Sequence, residues 1–295
     1  KILCKAADLC PVRLFYKNLF NEVMDLKYYC VDSRAVRPMC LALKYNKWVK
    51  VLDLTDSFLD DDACFHLGVL LNSNVTLTEL NLSGCRIGPL GLKKLIVNLP
   101  VNKTLKVLNL NRNAIGDAGM EHISKAVFLG TDVQKLYLSY NQIGTKGINM
   151  LNEVLDTHNK LVSLDLSWNN LFAPGPLCTL LLMLSENLKL QELNLAWNSI
   201  KDARVGTAIK SIFRCPNLQV LDLSNNKLAG EAIANLVGTL AKAKKLITLD
   251  LSYNPLSPAD ALLVLDKMKK SAVKLQNLLM DNVFVDNERF QLIVQ

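Results

Sequence analysis

Two aspartates, Asp222 and Asp250, have the spacing that acid–base chemistry would need. They lie 28 residues apart, at the same position of successive repeats, and adjacent parallel strands would hold their side chains about 5 Å apart, as in the carboxylate pair of a glycosidase. Such a pair works as acid and base only where the site excludes water. Because nothing in the sequence closes over these residues, we predict solvated carboxylates and no enzyme active site.

The histidines and glycines do not form a catalytic or metal-binding pattern either. The three histidines, His66, His122 and His158, are 56 and 36 residues apart, in helical segments of different repeats. The sequence contains no HExxH, GxSxG or GxxxxGK[ST] motif. Gly88 and Gly116 precede helical segments and are expected to be turn residues. We predict neither a cofactor nor a metal site.

A repeat with the pattern LxxLxLxxNxI/L runs along the chain and must position all of these residues. Clean copies start at 105, 133, 161, 190, 218 and 246, for example LQVLDLSNNKL at Leu218. Weaker copies start at 49 and 77, and degenerate copies at 21 and 275, which makes ten repeats. Successive starts differ by 28 residues, or by 29 in two steps, so the register is kept throughout.

Each repeat combines two periodicities. The L-x-L segment alternates as a strand does, and the remainder, such as residues 116–127, has helical spacing. One repeat cannot bury both its leucines and its helix stripe, so neighbours must stack. We predict an α/β solenoid with parallel strands on a concave face and helices on a convex face. This pattern resembles the ribonuclease-inhibitor-like leucine-rich repeats, whose members form horseshoes.

The predicted solenoid is a single domain that spans residues 1–295. Residues 1–20, with apolar side chains at helical spacing interrupted by Pro11, are expected to form an N-terminal helical cap. Residues 286–295 are expected to form a C-terminal cap, with Asp286 as the N-cap of its helix. Such caps cover the apolar ends of a repeat stack.

An asparagine recurs where each strand turns away from the sheet: Asn113, Asn141, Asn169, Asn198, Asn226 and Asn254. Backbone groups lose their sheet partners at this point, and an asparagine side chain can replace those partners. We therefore predict a structural ladder rather than a reactive site. Tyr29, Ser57 and Cys85 take this position in the early repeats, where the ladder should be less regular.

Two columns of side chains that alternate away from the leucines predict a binding surface. Aspartates and amides form one column, and aromatic residues are frequent in the other, where they should form a contiguous strip from Tyr137 to Trp197. Aromatic side chains dominate binding hot spots. The alternative is that the tryptophans merely cover the neighbouring loop, and both roles can hold at once. The predicted partner-binding residues are Tyr137, Tyr140, Trp168, Trp197, Asp165, Asp222, Asp250 and Tyr253.

Composition and charge argue against several classes of protein. Half of the residues are hydrophobic and 21% are charged, which excludes a largely disordered chain. No apolar run reaches the roughly 18 residues of a membrane span, and the net charge of +7 is not focused on one face, so we expect neither membrane nor nucleic-acid binding. The eight cysteines are scattered without CxxC pairs, which indicates reduced thiols and a cytoplasmic protein.

The segment CKAADLCPVRLFYKNL, the units LDLSWNN and LNLAWNSI, and the ending LDLSYNPLSPADALLVL resemble the leucine-rich repeat-containing protein 74 family over nearly the whole chain. The resemblance implies an intracellular protein with no established enzymatic activity, related to the repeat domains of NLR receptors and to Ran GTPase-activating protein. It implies no catalytic residues. The first three asparagine positions and the PGP segment at 174–176 depart from the repeat pattern.

We expect a non-enzymatic scaffold or adaptor that binds a basic or mixed segment of a protein partner on its concave face. Two alternatives stay open. One is regulation of a small GTPase in the manner of Ran GTPase-activating protein, which a GTPase assay would reveal. The other is the sensing domain of an NLR-type innate immune receptor, whose nucleotide-binding module would precede Lys1. The oligomeric state is left open by the sequence.

Overall fold

The computed structural model describes Cys4 and residues 9–158, 160–270 and 275–284. The chain divides into two compact units, Lys1–Ile143 with Thr157–Lys160, and Gly144–Asp156 with Leu161–Gln295. In each unit, parallel three-residue strands alternate with helices along the chain. This alternation confirms the predicted α/β solenoid, whereas the single domain spanning both units stays a prediction.

The first unit contains five strands, paired side by side in sequence order. They are β1 (Val23–Asp25), β2 (Val51–Asp53), β3 (Glu79–Asn81), β4 (Val107–Asn109) and β5 (Lys135–Tyr137). Its described helices are α1 (Arg13–Lys17), α2 (Ser33–Leu43), α3 (Asp61–Ser73), α4 (Pro89–Ile96) and α5 (Gly116–Phe128). Each helix from α2 to α5 connects two neighbouring parallel strands.

The second unit repeats this arrangement. Its strands are β6 (Ser163–Asp165), β7 (Glu192–Asn194), β8 (Val220–Asp222), β9 (Thr248–Asp250) and β10 (Asn277–Leu279), again paired in sequence order. Its described helices are α6 (Thr145–His158), α7 (Pro174–Ser185), α8 (Ala203–Ile212), α9 (Glu231–Val237) and α10 (Pro258–Lys270), with a 3-10 turn at Leu240–Lys242. Helix α6 belongs to this unit as far as Asp156.

Leucine spacing sets the register of the strands. Each strand begins two residues after a predicted repeat start, as β4 does at Val107 after the start at 105. Leucine therefore pairs with leucine, for example Leu80 with Leu108 in the first unit and Leu193 with Leu221 in the second. All four of these side chains are buried, so the leucines form a continuous core beneath the strands of each unit.

The ends of the chain are described only in part. Helix α1 lies within the segment predicted as the N-terminal cap and buries Phe15, but its capping role stays a prediction. The predicted cap at residues 286–295 lies outside the described residues. None of the helices in the described ranges combines the length and the apolarity that crossing a membrane requires.

Candidate protein-binding surface

Side chains of the second unit form two columns on the face of the strands away from the core. The acidic column contains the last residue of each strand from β6 to β9: Asp165, Asn194, Asp222 and Asp250. The turn column contains the residue three positions after each strand: Trp168, Trp197, Asn225 and Tyr253. Six of the eight predicted partner-binding residues thus lie in these two columns.

The acidic column has a structural role that the sequence analysis missed. Asp165 Oδ1 and Asp222 Oδ1 each accept a hydrogen bond at 2.9 Å from the backbone N–H two residues further on, at Ser167 and Ser224. Asp250 does the same with Ser252, at 2.8 Å. These Asx turns form where the three strands end. An Asp or Asn at the end of eight of the ten predicted strands was the signal that could have revealed them.

Each of these carboxylates has a second oxygen, Oδ2, that its Asx turn does not use. None of the ion pairs among the described residues uses Asp165, Asp222 or Asp250. Burial raises the pKa of Asp222, and the nearby charges of Asp250 and Asp165 raise it further, against hydrogen bonds from Ser224 that lower it. A cation near this column would relieve that repulsion.

The turn column has an unusual backbone conformation. Trp168, Trp197, Asn225 and Tyr253 all have φ between 53° and 57°. The same position is left-handed in every repeat: Tyr28, Asp56, Gly84, Arg112 and Tyr140 in the first unit, and Asn282 in the last repeat. This conformation costs a bulky residue about 1–2 kcal/mol, whereas glycine and asparagine adopt it readily. Tryptophan at this position therefore needs a reason other than the backbone.

Trp168 and Trp197 stack on each other in neighbouring repeats. Their ring centroids are 3.9 Å apart, with an angle of 15° between the planes. Each tryptophan is nevertheless 44% exposed. The pair therefore offers solvent a rigid aromatic surface, and mutual stacking contributes about 0.5–1.5 kcal/mol to holding it in place. Tyr253, which is also exposed, follows beyond Asn225 in the same column.

Tyr137 and Tyr140, the remaining predicted partner-binding residues, belong to the first unit. Tyr137 ends β5, beside Asn109 of β4, and is half-buried. Tyr140 lies in the turn column of its repeat and is exposed. The aromatic strip that would join these tyrosines to the tryptophans stays a prediction.

An ion pair spans two repeats of the first unit. Arg112 Nη2 lies 3.0 Å from both carboxylate oxygens of Asp56. The repeat between them places Gly84 in the same column, and a Cβ atom at Gly84 would overlap Asp56 Oδ1. The absence of a side chain at Gly84 is therefore what allows the pair to form.

We expect Gly84→Ala to lower the free energy of unfolding by about 1–2 kcal/mol. The left-handed conformation is unfavourable for alanine, and the new Cβ would separate an ion pair that is worth less than about 1 kcal/mol. Urea unfolding measures the loss. Gly116→Ala is the matched control, since Gly116 has a φ of +57° with no atom within 4 Å of the added Cβ. A smaller loss in Gly84→Ala than in Gly116→Ala would contradict the steric explanation.

The asparagine ladder is confirmed as a structural feature. Asn198 Nδ2 donates to the carbonyl oxygens of Leu166, Leu195 and Ala196, at 2.9–3.1 Å. Asn198 Oδ1 accepts from the Leu171 N–H at 3.3 Å. One buried side chain thus connects two successive turns.

The early repeats depart from this ladder, as expected. Cys85 Sγ takes the place of the amide and donates to the Leu54 carbonyl at 3.1 Å. Burial raises the pKa of Cys85 to about 12, so it stays a thiol donor. Ser57 is buried and its Oγ has no hydrogen-bond partner among the described residues, and Tyr29 is exposed. The ladder is therefore irregular before Asn113.

The described residues bring together no group of three histidine, cysteine or carboxylate side chains that could hold a metal ion. His66 Nε2 lies 3.4 Å from Asp62 Oδ2, four residues earlier on α3, and His122 lies on α5. The side chain of His158 is outside the described part of the chain. The contact of His66 with Asp62 thus joins two residues of the same helix.

A family model described as a leucine-rich repeat matches the chain in six segments: residues 73–95, 101–124, 131–151, 157–175, 186–203 and 214–237. The strands from β3 to β8 each fall within one of the six matched segments. The matches therefore follow the repeats of the structure, each of which combines a strand and a helix.

Two solved structures are similar at low identity. Leiomodin-1 actin-binding site 2 is 20% identical, with a TM-score of 0.46, over 50% of this chain and 87% of that chain. An internalin from Listeria monocytogenes is 18% identical, with a TM-score of 0.48, over 84% of this chain and 66% of that chain. With both TM-scores below 0.5, neither likeness adds to the fold described above.

The narrower resemblance to the leucine-rich repeat-containing protein 74 family stays a prediction. Three features do agree with one another: the spacing of 28 or 29 residues, the strand and helix of each repeat, and the six matched segments. Together they make the chain a leucine-rich repeat protein.

Proposed function

We propose that this chain is a non-enzymatic interaction scaffold that binds a basic segment of a partner protein. The binding surface that we propose, called here the aromatic–acidic surface, consists of Asp165, Trp168, Trp197, Asp222, Asp250 and Tyr253. One observation carries the proposal: two stacked, half-exposed indoles lie next to a column of carboxylates that form no ion pair among the described residues.

The two columns complement each other chemically. A lysine or arginine side chain placed over an indole face gains a cation–π interaction of about 0.5–2 kcal/mol. Its charged end then lies on the side of the acidic column, where Asp165 and Asp222 keep one oxygen each that the Asx turns do not use. The indoles supply the apolar contact area on which hot spots depend.

Charge also selects the kind of partner. Glu192, the first residue of β7, adds a further carboxylate on the same face of the second unit. No lysine or arginine occurs in either column of this unit. The aromatic–acidic surface is thus negative on a chain whose net charge is +7, and it would attract basic segments while repelling acidic ones.

We also propose an intracellular location. All eight cysteines are free thiols, and four of them, Cys40, Cys64, Cys85 and Cys215, are buried. A reducing compartment favours such thiols, since extracellular proteins tend to pair them.

In the first unit, we propose Tyr137 and Tyr140 as additional aromatic residues that contact a partner protein.

The test is peptide selection followed by a matched double variant. A random peptide library is panned against the purified chain, and the Kd of the enriched peptides is measured by fluorescence anisotropy. We expect enrichment of lysine and arginine. Replacing Trp168 and Trp197 with asparagine should weaken binding by about thirtyfold or more, the loss of one hot spot. Asparagine is chosen because Asn225 and Asn282 already adopt the left-handed turn.

Two further variants sharpen this result. Asp222→Asn should weaken binding by about three- to tenfold and reduce its salt dependence, while it retains the Asx turn that Asn194 already makes with Ala196. Phe172→Asn removes an exposed aromatic outside the aromatic–acidic surface and should not change the Kd. Enrichment of acidic peptides, or equal binding by the double tryptophan variant, would refute the proposal.

A further inference from the structure

A second candidate surface lies on the helices of the first unit, where one helix is shorter than both of its neighbours. Helix α4 has 8 residues, whereas the flanking helices α3 and α5 have 13 each. Pro100 follows soon after the end of α4, and a proline disfavours helical conformation in the residue before it. The C-terminal half of α5 is therefore left without a full-length helix beside it, and a groove opens there.

The groove has an apolar floor. Its apolar lining residues are Ile96, Val97, Pro100, Ala126 and Leu129. Val97 is 65% exposed and Leu129 is 55% exposed, so apolar surface faces solvent at the mouth of the groove. The cavity holds about 110 Å³, somewhat less than the ~150 Å³ that encloses a benzene ring, which suits one aliphatic side chain.

Basic groups surround this floor. Lys93 on α4 and His122 and Lys125 on α5 complete the lining, and none of the described residues that line the groove is acidic. Neither lysine takes part in an ion pair among the described residues. The groove thus combines an apolar socket with two exposed ammonium groups that have no carboxylate partner there.

We infer that this groove binds an acidic peptide segment of a partner protein. A leucine-sized side chain of the segment fills the space between Val97 and Leu129, and flanking carboxylates reach Lys93 and Lys125. The charge preference is opposite to that of the aromatic–acidic surface, and the two surfaces share no residue. One scaffold would then hold a basic segment and an acidic segment at separate places.

The probe is a short fluorescein-labelled peptide of alternating glutamate and alanine with one central leucine, titrated against the full chain by anisotropy. We expect saturable binding that weakens about tenfold or more when the leucine becomes glycine, the fold-change that burial of one leucine supplies. Val97→Asp, at an exposed position, should weaken binding to a similar extent. A peptide with lysine in place of glutamate should not bind.

Charge reversal tests the basic rim. The variant Lys93→Glu with Lys125→Glu should abolish binding, whereas Lys17→Glu with Lys47→Glu, an equal change of net charge at exposed lysines, should not. The Trp168→Asn with Trp197→Asn variant should bind as the wild type does. The inference fails if both charge-reversed variants bind equally, if the acidic peptide does not bind, or if only vesicles rich in phosphatidylserine bind through Lys93 and Lys125.

Discussion

Replacing Asn226 with alanine is expected to lower the free energy of unfolding by about 3–5 kcal/mol, because each buried polar group left without a partner costs about 1–3 kcal/mol. Asn226 Nδ2 donates to the carbonyls of Leu195, Leu223 and Ser224, at 3.0–3.1 Å. Asn226 Oδ1 accepts from the N–H groups of Asn198 and Ile200, at 3.0 and 3.1 Å.

Two measurements check this prediction. Urea unfolding gives the loss of stability, and hydrogen exchange should become faster at the Asn198 and Ile200 amides, which lose their acceptor. The neighbouring Asn225→Ala is the control, since Asn225 is only half-buried and should cost about 1 kcal/mol for its left-handed backbone. If both variants lose the same stability, the ladder does not contribute as we expect.

Replacing Gly206 with alanine is expected to destabilise the chain by about 3 kcal/mol, the upper part of the range for overpacking. Helix α8 approaches α9 so closely that a Cβ at Gly206 would lie 2.8 Å from Ala232 Cα and 2.9 Å from its carbonyl carbon. Backbone atoms cannot move aside as the end of a flexible side chain can. The two helices would have to separate.

The control for Gly206 should change stability much less. Gly175 lies in helix α7, and apart from its chain neighbours a Cβ there would meet no atom within 4 Å. Gly175→Ala should therefore change stability by less than about 1 kcal/mol, because the gain in helix propensity is opposed by crowding of the new Cβ against the ring of Pro176. Thermal unfolding of both variants gives the comparison, and a stabilised Gly206→Ala protein would show that the helices do not approach so closely.

Repetition made most of the fold predictable. Leucines at fixed spacing can be buried only if each repeat stacks on the next in the same register, so the repeat start at 218 was enough to place β8 at Val220–Asp222. The asparagine ladder was predictable for the same reason, since an amide that recurs where strands end must meet the same backbone groups each time. Cys85 shows that a different donor can serve there.

The turn geometry was not predictable in the same way. Leucine patterns describe what is buried, whereas the left-handed conformation of Trp168 depends on backbone angles that no leucine period reveals. The Asx turn of Asp165 was missed although an Asp or Asn recurs at most strand ends. The pair of Asp56 with Arg112 was also missed, because it connects residues two repeats apart across a glycine. The end of α4 at Ile96 was also not predictable, because the residues up to Pro100 still look helical.

The positions of the proposed binding residues were predictable from the sequence in part, whereas their binding role stays a proposal. The residues Asp165, Trp168, Trp197, Asp222, Asp250 and Tyr253 were predicted from column positions, and the structure brings them together on neighbouring repeats of one unit. The face-to-face contact of the indoles could not be predicted, since it depends on rotamers. The groove beside α4 has no sequence signature, because its lining residues are ordinary helix positions.

The left-handed turn at the end of each strand holds residues that we propose for partner binding, and these residues are distinct from the leucines that form the core. Its backbone conformation is the same whether the position carries aspartate, glycine, arginine, tyrosine, tryptophan or asparagine, as it does between Asp56 and Asn282. Except where a neighbouring side chain fills the space, as Asp56 does beside Gly84, changes at this position therefore alter the exposed chemistry of the strand face without disturbing the leucine core. Exchanging one residue per repeat at this position would direct such a chain to new partners. Asparagine, which is uncharged and adopts the left-handed turn readily, would fit this position in each repeat.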